Sequence, residues 1–518
     1  YHKTMTISDT KQTDITVYGA TSFVAKHVLR YLIDVVVASS KDSQIGGASP
    51  SSSSSSPNGR TLSVRLAGRN ATRLKAVRET LIQEYKDKIS TSSNIVQTVI
   101  SEDVVVADGD DLPGLQTMVK GCVVVLNCAG PYAKYSSKVV QACAMNGTDY
   151  VDITGETLWA STMRQQYGSD AAKSGARIIS FCGYDSIPTD MAVFHAIKTL
   201  RSSVSSSSST STTIQIKHAN VMYQPFGMAN GGTIATAADI PVDLIHDFTT
   251  TKTDKKDHAG VLSTVSIGSR RLRSVPYFLG DPLCLSHPSN VRNNPEFTTT
   301  KNRFALAEWM NQIVAIEKDL FYGISMPFFM SVVNLKVVHA SAVALGYGDN
   351  FSASERMLPF GFTATKLFSI MALFPVVFIQ CCMLLLMCTI YIPVIGPRIT
   401  ALFPPGSGMP DTLCTMGSNT VYCKVEGVAL NHNDNGIAGG KKTYNACVSY
   451  VYSGDAGNLV TAQCVSEAAL VLVLNRNELP KRSTDGFGTP AELLGDPLLN
   501  RLKNTKVRPI EIKTSVNT

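Results

Sequence analysis

The apolar positions of the first 180 or so residues switch repeatedly between two periods. Ile15-Thr16-Val17-Tyr18 is a short β-type run that ends at Gly19. A helical spacing begins at once, with Val24, Val28, Leu29, Leu32 and Ile33 three or four residues apart. Strand, tight turn and helix in that order open a βαβ unit. The helix N-terminus of such a unit offers unpaired N–H groups and partial positive charge to a pyrophosphate. Leu62–Ala67 predicts the next strand, and Ile95–Ile100 and Val104–Asp108 read as two further short β-rich runs. Cys122–Cys128 is a nearly continuous apolar run, as a sheet covered on both faces requires. Helix Ser136–Met145, strand Tyr150–Ile153, helix Leu158–Lys173 and strand Ala176–Phe181 continue the alternation. This rhythm predicts the fold class α/β, a Rossmann-type doubly wound parallel sheet over residues 12–200.

Polar interruptions and later segments divide the rest. Residues 39–59, with the run Ser51–Ser56, and residues 201–213 are Ser-rich and expected to be disordered and dispensable. Over 214–358 the pattern predicts an α+β second domain. Its strands are expected at Ile214–Tyr223 and Val261–Ile267, and its helices at Gly231–Ile245, Arg303–Glu317 and Ser331–Leu345. Residues 415–510 add strands at Thr420–Val428 and Cys447–Tyr452 and a helix at Gly457–Leu474.

Residues 364–398 stand apart. From Leu367 to Pro397 there is no charged residue, and Lys366 and Arg398 flank the run. A bilayer span needs about 20 apolar residues. Pro375 divides the run and leaves Val376–Ile392 as its longest uninterrupted piece. It reads as a hydrophobic membrane-associating segment or as a buried core helix kinked at Pro375. The first reading predicts a hairpin, with Leu367–Ile395 entering one leaflet and returning.

Composition narrows the setting. The formal charge of the 518 residues is +7 and the basic residues are not clustered, so no nucleic-acid partner is expected. The 12 cysteines show no C-x-x-C spacing and mostly sit in apolar runs, which suits buried thiols in a reducing compartment. Tyr1–Thr13 is polar and does not read as a signal peptide, so the expected location is not secreted. The nine histidines form no metal-ligand spacing.

Candidate chemistry collects at the predicted strand ends. The first turn places Gly19, Ala20, Thr21, Ser22, Phe23 and Val24 at a cofactor phosphate, and a side chain at Gly19 is expected to fill the pyrophosphate's space without unfolding the chain. Arg69, directly after the second strand, stands where an acid would select NAD. An arginine there pairs instead with the 2′-phosphate of NADP. Asp108 is placed toward the adenine end, and the turn Ala129-Gly130-Pro131 along the nicotinamide ribose. Tyr132 and Asp185 are the candidate catalytic residues, with Glu156 and Tyr184 beside them at the carboxyl edge of the sheet. Asp185 also reads as a helix cap, and Asp152 and Glu156 as solvated loop acids. The absence of Tyr-x-x-x-Lys argues against a short-chain dehydrogenase mechanism.

Longer runs carry a resemblance. Val17-Tyr18-Gly19-Ala20-Thr21, Leu66-Ala67-Gly68-Arg69, Asn127-Cys128-Ala129-Gly130-Pro131-Tyr132, Gly147–Glu156 and Gly183–Asp190 resemble the saccharopine dehydrogenase-like oxidoreductases. Within that group the chain is similar to the trans-acting enoyl reductase branch and its animal relatives. The likeness continues through Gly231-Gly232-Thr233, Tyr347-Gly348-Asp349 and Gly454-Asp455 to Thr489-Pro490. Ser22 and Ala25 depart from it, standing where relatives usually carry glycine. The resemblance implies an NADP-dependent oxidoreductase acting on a small-molecule or lipid-linked substrate at the cytosolic face of a membrane or a lipid droplet, with a role in glycolipid or lipid metabolism. It also implies that the C-terminal strands pack back on the second domain. The alternative is a membrane- or lipid-droplet-associated protein that keeps the nucleotide and catalyses nothing.

Overall fold

Ile15 and Val17 on one face of β1 (Thr13–Tyr18), and Thr16 and Tyr18 on the other, are all buried, so this strand lies inside a sheet covered on both sides. It is the middle of a parallel sheet in a computed structural model that describes residues 13–45, 61–88, 93–207, 213–227, 330–348, 351–358, 407–432 and 438–517, with the short stretches 265–267, 270–272, 315–317 and 323–328 and single residues between 378 and 402. Its companions are β2 (Val64–Gly68), β3 (Val105–Val106), β4 (Cys122–Asn127), β5 (Asp149–Asp152) and β6 (Ile178–Ile179), in the spatial order β6-β5-β4-β1-β2-β3. The strand order reverses between β1 and β4, which pair from Thr13–Cys122 to Tyr18–Asn127. Beyond the carboxyl ends of those two strands a crevice opens, the usual ligand position in such sheets.

The crossovers are α1 (Phe23–Ile45), α2 (Ala71–Lys88), α3 (Ser93–Val99), α4 (Leu112–Lys120), α5 (Tyr132–Tyr135), α6 (Ser137–Asn146), α7 (Thr157–Ser174) and α8 (Ile187–Ser207). Three expectations need correction. Residues 95–99 lie in a helix, with Val96 and Val99 buried, and only Ile100 after it bridges to Val64. The first Ser-rich segment begins inside α1, where the Ser39 and Ser40 hydroxyls donate to the Val35 and Val36 carbonyls. The second begins inside α8, which runs to Ser207, so neither segment is wholly disordered. Residues 46–60 and 208–212 lie outside the described residues.

A second sheet is built on β7 (Thr213–Gln224). The remaining strands are β8 (Val265–Ile267), β9 (Arg270–Leu272), β10 (Ala315–Glu317), β11 (Gly323–Pro327), β12 (Ser352–Met357), β13 (Ser418–His432), β14 (Ala438–Ser453), β15 (Phe487–Gly488) and β16 (Glu511–Asn517). The second sheet runs β10-β11-β12-β7-β13-β14-β16, and β8 and β9 form a separate hairpin. Residues 315–317 are therefore strand where helix was expected. The expected elements at 231–245 and 303–314, and nearly all of 364–398, fall outside the described residues.

The C-terminal region serves both sheets. β13 pairs antiparallel with β7 from Thr420–Gln224 to Leu430–Thr213, while β15 extends the first sheet beside β6. Between them runs α11 (Thr461–Leu474), entered through a widened turn over Ala456–Val460 and packed against α1, β1, β4 and β5. α9 (Ser331–Ala344) lies between α8 and β12, α10 (Asp411–Cys414) precedes β13, and α12 (Pro490–Leu493) and α13 (Gly495–Asn504) close against α8. One hydrophobic core runs through Val17, Leu126, Val221, Tyr450 and Leu470, so the two sheets share it.

Candidate functional site

The β1–α1 turn is held from both sides. Ala20 N–H donates to the Ala67 carbonyl at 3.2 Å, and Cys128 N–H donates to the Tyr18 carbonyl at 2.9 Å. Gly19 has φ +71°, a left-handed conformation that glycine adopts without strain. A β-carbon at Gly19 would lie 2.8 Å from the Ala129 nitrogen. Its first clash is thus with the strand-end backbone of β4, not with a ligand, which corrects the expectation that a side chain there would leave the fold unaffected. Ala20 and Val24 are buried, Thr21 is exposed, and Phe23 lies at the first turn of α1 with Lys26 over its ring at 4.1 Å. The Ser22 oxygen accepts from Ala25 N–H at 3.3 Å, so it caps α1 and keeps its own proton to donate.

Arg69 is exposed at the carboxyl end of β2, its guanidinium 5.2 Å from the centre of the Tyr135 ring, and it makes no ion pair among the described residues. Asn70 follows and accepts from Arg73 N–H at 3.0 Å, capping α2 beneath an exposed Arg73 that sequence reading passed over. Asp108 is exposed at the end of β3 and accepts from Asp110 N–H at 2.9 Å. A left-handed glycine at a helix start, with an exposed guanidinium on the neighbouring strand end, fits a dinucleotide carrying a 2′-phosphate.

The segment after β4 is fixed by two buried polar side chains. Asn127 accepts from Ala129 N–H at 2.8 Å and donates to the Ser136 and Tyr150 hydroxyls at 2.8 and 2.9 Å. Glu156 accepts from Tyr132 N–H at 2.8 Å and from Ala133 N–H at 2.7 Å. Gly130 and Pro131, joined by a cis peptide, are suspended between these anchors. The Tyr132 hydroxyl donates to the Asn127 carbonyl at 3.2 Å, and its ring packs on Trp159 in the core. Asp152 and Glu156 are buried, not solvated loop acids. Asp152 accepts from Thr154 N–H, Phe181 N–H and the Ser180 hydroxyl, and burial pushes its carboxyl up to about 7. It thereby holds Phe181 at φ 66°.

That strained loop delivers Tyr184, Asp185 and Ser186 to the second sheet. Asp185 is half-buried and makes no hydrogen bond among the described residues, and desolvation pushes its carboxyl up to about 6. Behind it lies a network that sequence reading missed. The Ser186 hydroxyl donates to the Asn334 side-chain oxygen at 3.1 Å, and Asn334 donates to both Glu355 oxygens at 3.0 and 3.1 Å. Thr189 donates to Glu355 at 2.5 Å and also meets the Tyr223 hydroxyl. Burial, with the Asp185 charge adding a little, pushes Glu355 up to about 7. The available signal was period two along Ala353-Ser354-Glu355, which puts Glu355 on the buried face of β12 with Ala353. Nothing in the linear order marks Asn334 or Thr189 as its partners.

The chain is similar to several known proteins. Residues 58–179 match the saccharopine dehydrogenase NADP binding domain. A trans-acting enoyl reductase of Mycobacterium ulcerans is 28% identical over 320 residues, 57% of this chain and 69% of its own. A Mycobacterium tuberculosis protein provisionally named for the same activity is 26% identical over 515 residues, 95% of this chain and 96% of its own. A lipid droplet localized protein of Caenorhabditis elegans is 33% identical over 180 residues, 35% of each chain. The apo saccharopine dehydrogenase (L-Glu forming) of Saccharomyces cerevisiae aligns over 97% of this chain and 100% of its own, at 13% identity and a TM-score of 0.45. The chain therefore carries a saccharopine dehydrogenase NADP-binding domain and is a homologue of the trans-acting enoyl reductases.

Proposed function

We propose that this protein is an NADP-dependent oxidoreductase acting on a lipid-linked substrate at the cytosolic face of a membrane or lipid droplet, with a role in glycolipid or lipid metabolism. The observation that carries the reading is Arg69, an exposed guanidinium at the end of the strand next to the Gly19 turn. Bound NADP(H) would supply or accept a hydride. The α1 turn, Gly19 to Val24, would hold the pyrophosphate, Arg69 the 2′-phosphate, and Asp108 would face the adenine end. Asn127 and Glu156 would orient Ala129–Pro131 along the nicotinamide ribose. Asp185, with its carboxyl near 6, can hold or release a proton close to neutral pH. Tyr132, its hydroxyl engaged by Asn127, acts in this reading by packing.

Lipid as the substrate setting is supported by the uncharged run from Leu367 to Pro397 and by the lipid droplet location in the name of the nematode relative. The second reading is a nucleotide-binding protein without turnover, which Ser22 and Ala25 in place of glycines favour. Fluorescence titration with NADPH and NADH tests the first. A charge-assisted pair with phosphate contributes roughly 1.5–3 kcal/mol. Arg69→Ala should therefore weaken NADPH binding at least tenfold and leave NADH nearly unchanged. Equal loss of both cofactors counts against the assignment, and NADPH binding with no turnover of any enoyl or carbonyl lipid favours the second reading.

A further inference from the structure

The described residues that flank the long segment between β12 and β13 are anchored at one pole. β12 ends at Met357, and Leu358 N–H donates to the Tyr223 carbonyl at 2.7 Å, near the end of β7. β13 begins at Ser418, and Thr420 pairs with Gln224 on that same strand end. Phe226 N–H donates to the Asn419 side-chain oxygen, and Ala456 N–H to the Phe226 carbonyl at 2.8 Å. Gly454 N–H and Asp455 N–H donate to the Gly417 and Cys414 carbonyls at 3.0 and 2.7 Å. Leu358 before this segment and the chain from Cys414 onward are thus fastened near the same end of β7.

This pole also shows apolar surface. Met416 is 55% exposed, Leu413 45% and Phe226 37%, and the Phe226 ring lies against Gly417. They surround α10, which Asp411 ties to α1 through Lys26 at 2.9 Å and Arg30 at 2.8 Å. Leu413 is sixteen residues beyond Pro397, so at most roughly 55 Å of extended chain separates this surface from the uncharged run. Within that run Phe378 and Leu385, seven residues apart, are 69% and 66% exposed. With both flanking anchors at one pole, the uncharged run between them has no need of an aqueous compartment beyond the lipid.

We propose that the pole formed by Phe226, Leu413 and Met416 is the lipid-facing surface of the molecule. It rests flat on a lipid leaflet that the 367–397 run enters from the same side. The inference rests on the lipid-surface reading and adds to it an orientation and named residues. Through Asp411 and α1 the same pole adjoins the Gly19 turn, so the nucleotide crevice lies near the lipid and a lipid-anchored substrate has a short path to it.

The test is flotation of the purified full chain with triolein droplets coated in phosphatidylcholine. Wild type should float, and Leu413→Glu with Met416→Glu should cut the floating fraction at least tenfold while NADPH binding stays unchanged. Phe378→Glu with Leu385→Glu tests the run separately. Loss in that variant with no loss in the pole variant overturns the orientation and leaves the lipid-surface reading standing. Wild type remaining in the aqueous layer overturns both. As a variant that keeps the apolar surface, Met416→Trp should shift its emission to the blue when droplets are added; no shift overturns the orientation. If the pole pair instead dissolves a dimer without changing flotation, a second copy covers this surface and the proposal fails.

Discussion

At the scale of the residue, position in the turn matters more than identity in the motif. Gly19 is needed because its φ is +71° and because a β-carbon there would strike the Ala129 backbone. A left-handed L-residue costs about 1–2 kcal/mol before any clash. Gly19→Ala should therefore lower the melting temperature and NADPH affinity together; a variant with normal melting and lost binding would place the ligand, not the β4 end, as the obstacle. Ser22 shows the reverse case. Its side chain caps α1, a role that a glycine could not fill with a side chain. Glu156 and Asp152 read as ordinary loop acids in the linear text. They are acceptors for backbone N–H groups that would otherwise be buried without partners.

At the scale of the element, the informative one is α11. Ala456–Leu474 is long and apolar enough to cross a membrane, yet most of it is buried inside the protein, where it packs against α1 and the first sheet. Its charged residue explains why it belongs there. Glu467 accepts from the Tyr31 hydroxyl at 2.7 Å and pairs with Arg501 at 2.5 Å, joining α1, α11 and α13. Removing one partner of such a pair leaves a buried charge uncompensated, typically a loss of 3–5 kcal/mol. Arg501 keeps some solvent access, so Glu467→Ala should cost about 3 kcal/mol in denaturant unfolding. A change below about 0.5 kcal/mol would show that the pair is screened. α3 carries the opposite lesson. Its apolar pattern is short enough to fit either period, and packing between α1 and α2 selects helix.

At the scale of the whole molecule, buried carboxyls contribute a distinct part of the pH response. Asp152, Asp190 and Glu355 are each pushed to about 7 by desolvation, although hydrogen bonds partly oppose it. In the unfolded chain such groups ionise near 4. Between about pH 4 and 7 the folded state therefore holds protons that the unfolded state has lost, and stability falls as pH rises through that window. Glu355→Gln removes one of these groups and should flatten the decline by up to about 3 kcal/mol. Melting curves of both proteins between pH 5 and 8 measure it, and the same pH dependence in Glu355→Gln as in the wild type would overturn the account. Asp411 acts in a separate, lower window. Desolvation there opposes its partners, but Lys26 and Arg30 prevail and hold its carboxyl at about 2, so the stability it contributes is lost only as pH falls below about 4.

How much of this was legible beforehand follows from what decides each feature. Local period and turn chemistry depend on neighbours in the chain. For that reason the βαβ opening, the apolar β4, the helix at 331–344, the strands β7, β13 and β14 and the NADP-binding character could be read from the linear text. Arg69 was legible too, since its place after β2 is a matter of counting. The network of Thr189, Asn334 and Glu355 was not, because it joins α8, α9 and β12 across 166 residues of separation. Nor was the part played by residues 487–488, which complete the first sheet after the second is built. Sequence pattern alone determined most of the strands and helices of the first sheet and the NADP-binding character. Tertiary structure decided which buried acids share one network and at which pole the ends of β7, β12 and β13 meet. Burial and long-range pairing are properties of the packed chain, and no window of neighbouring residues contains them.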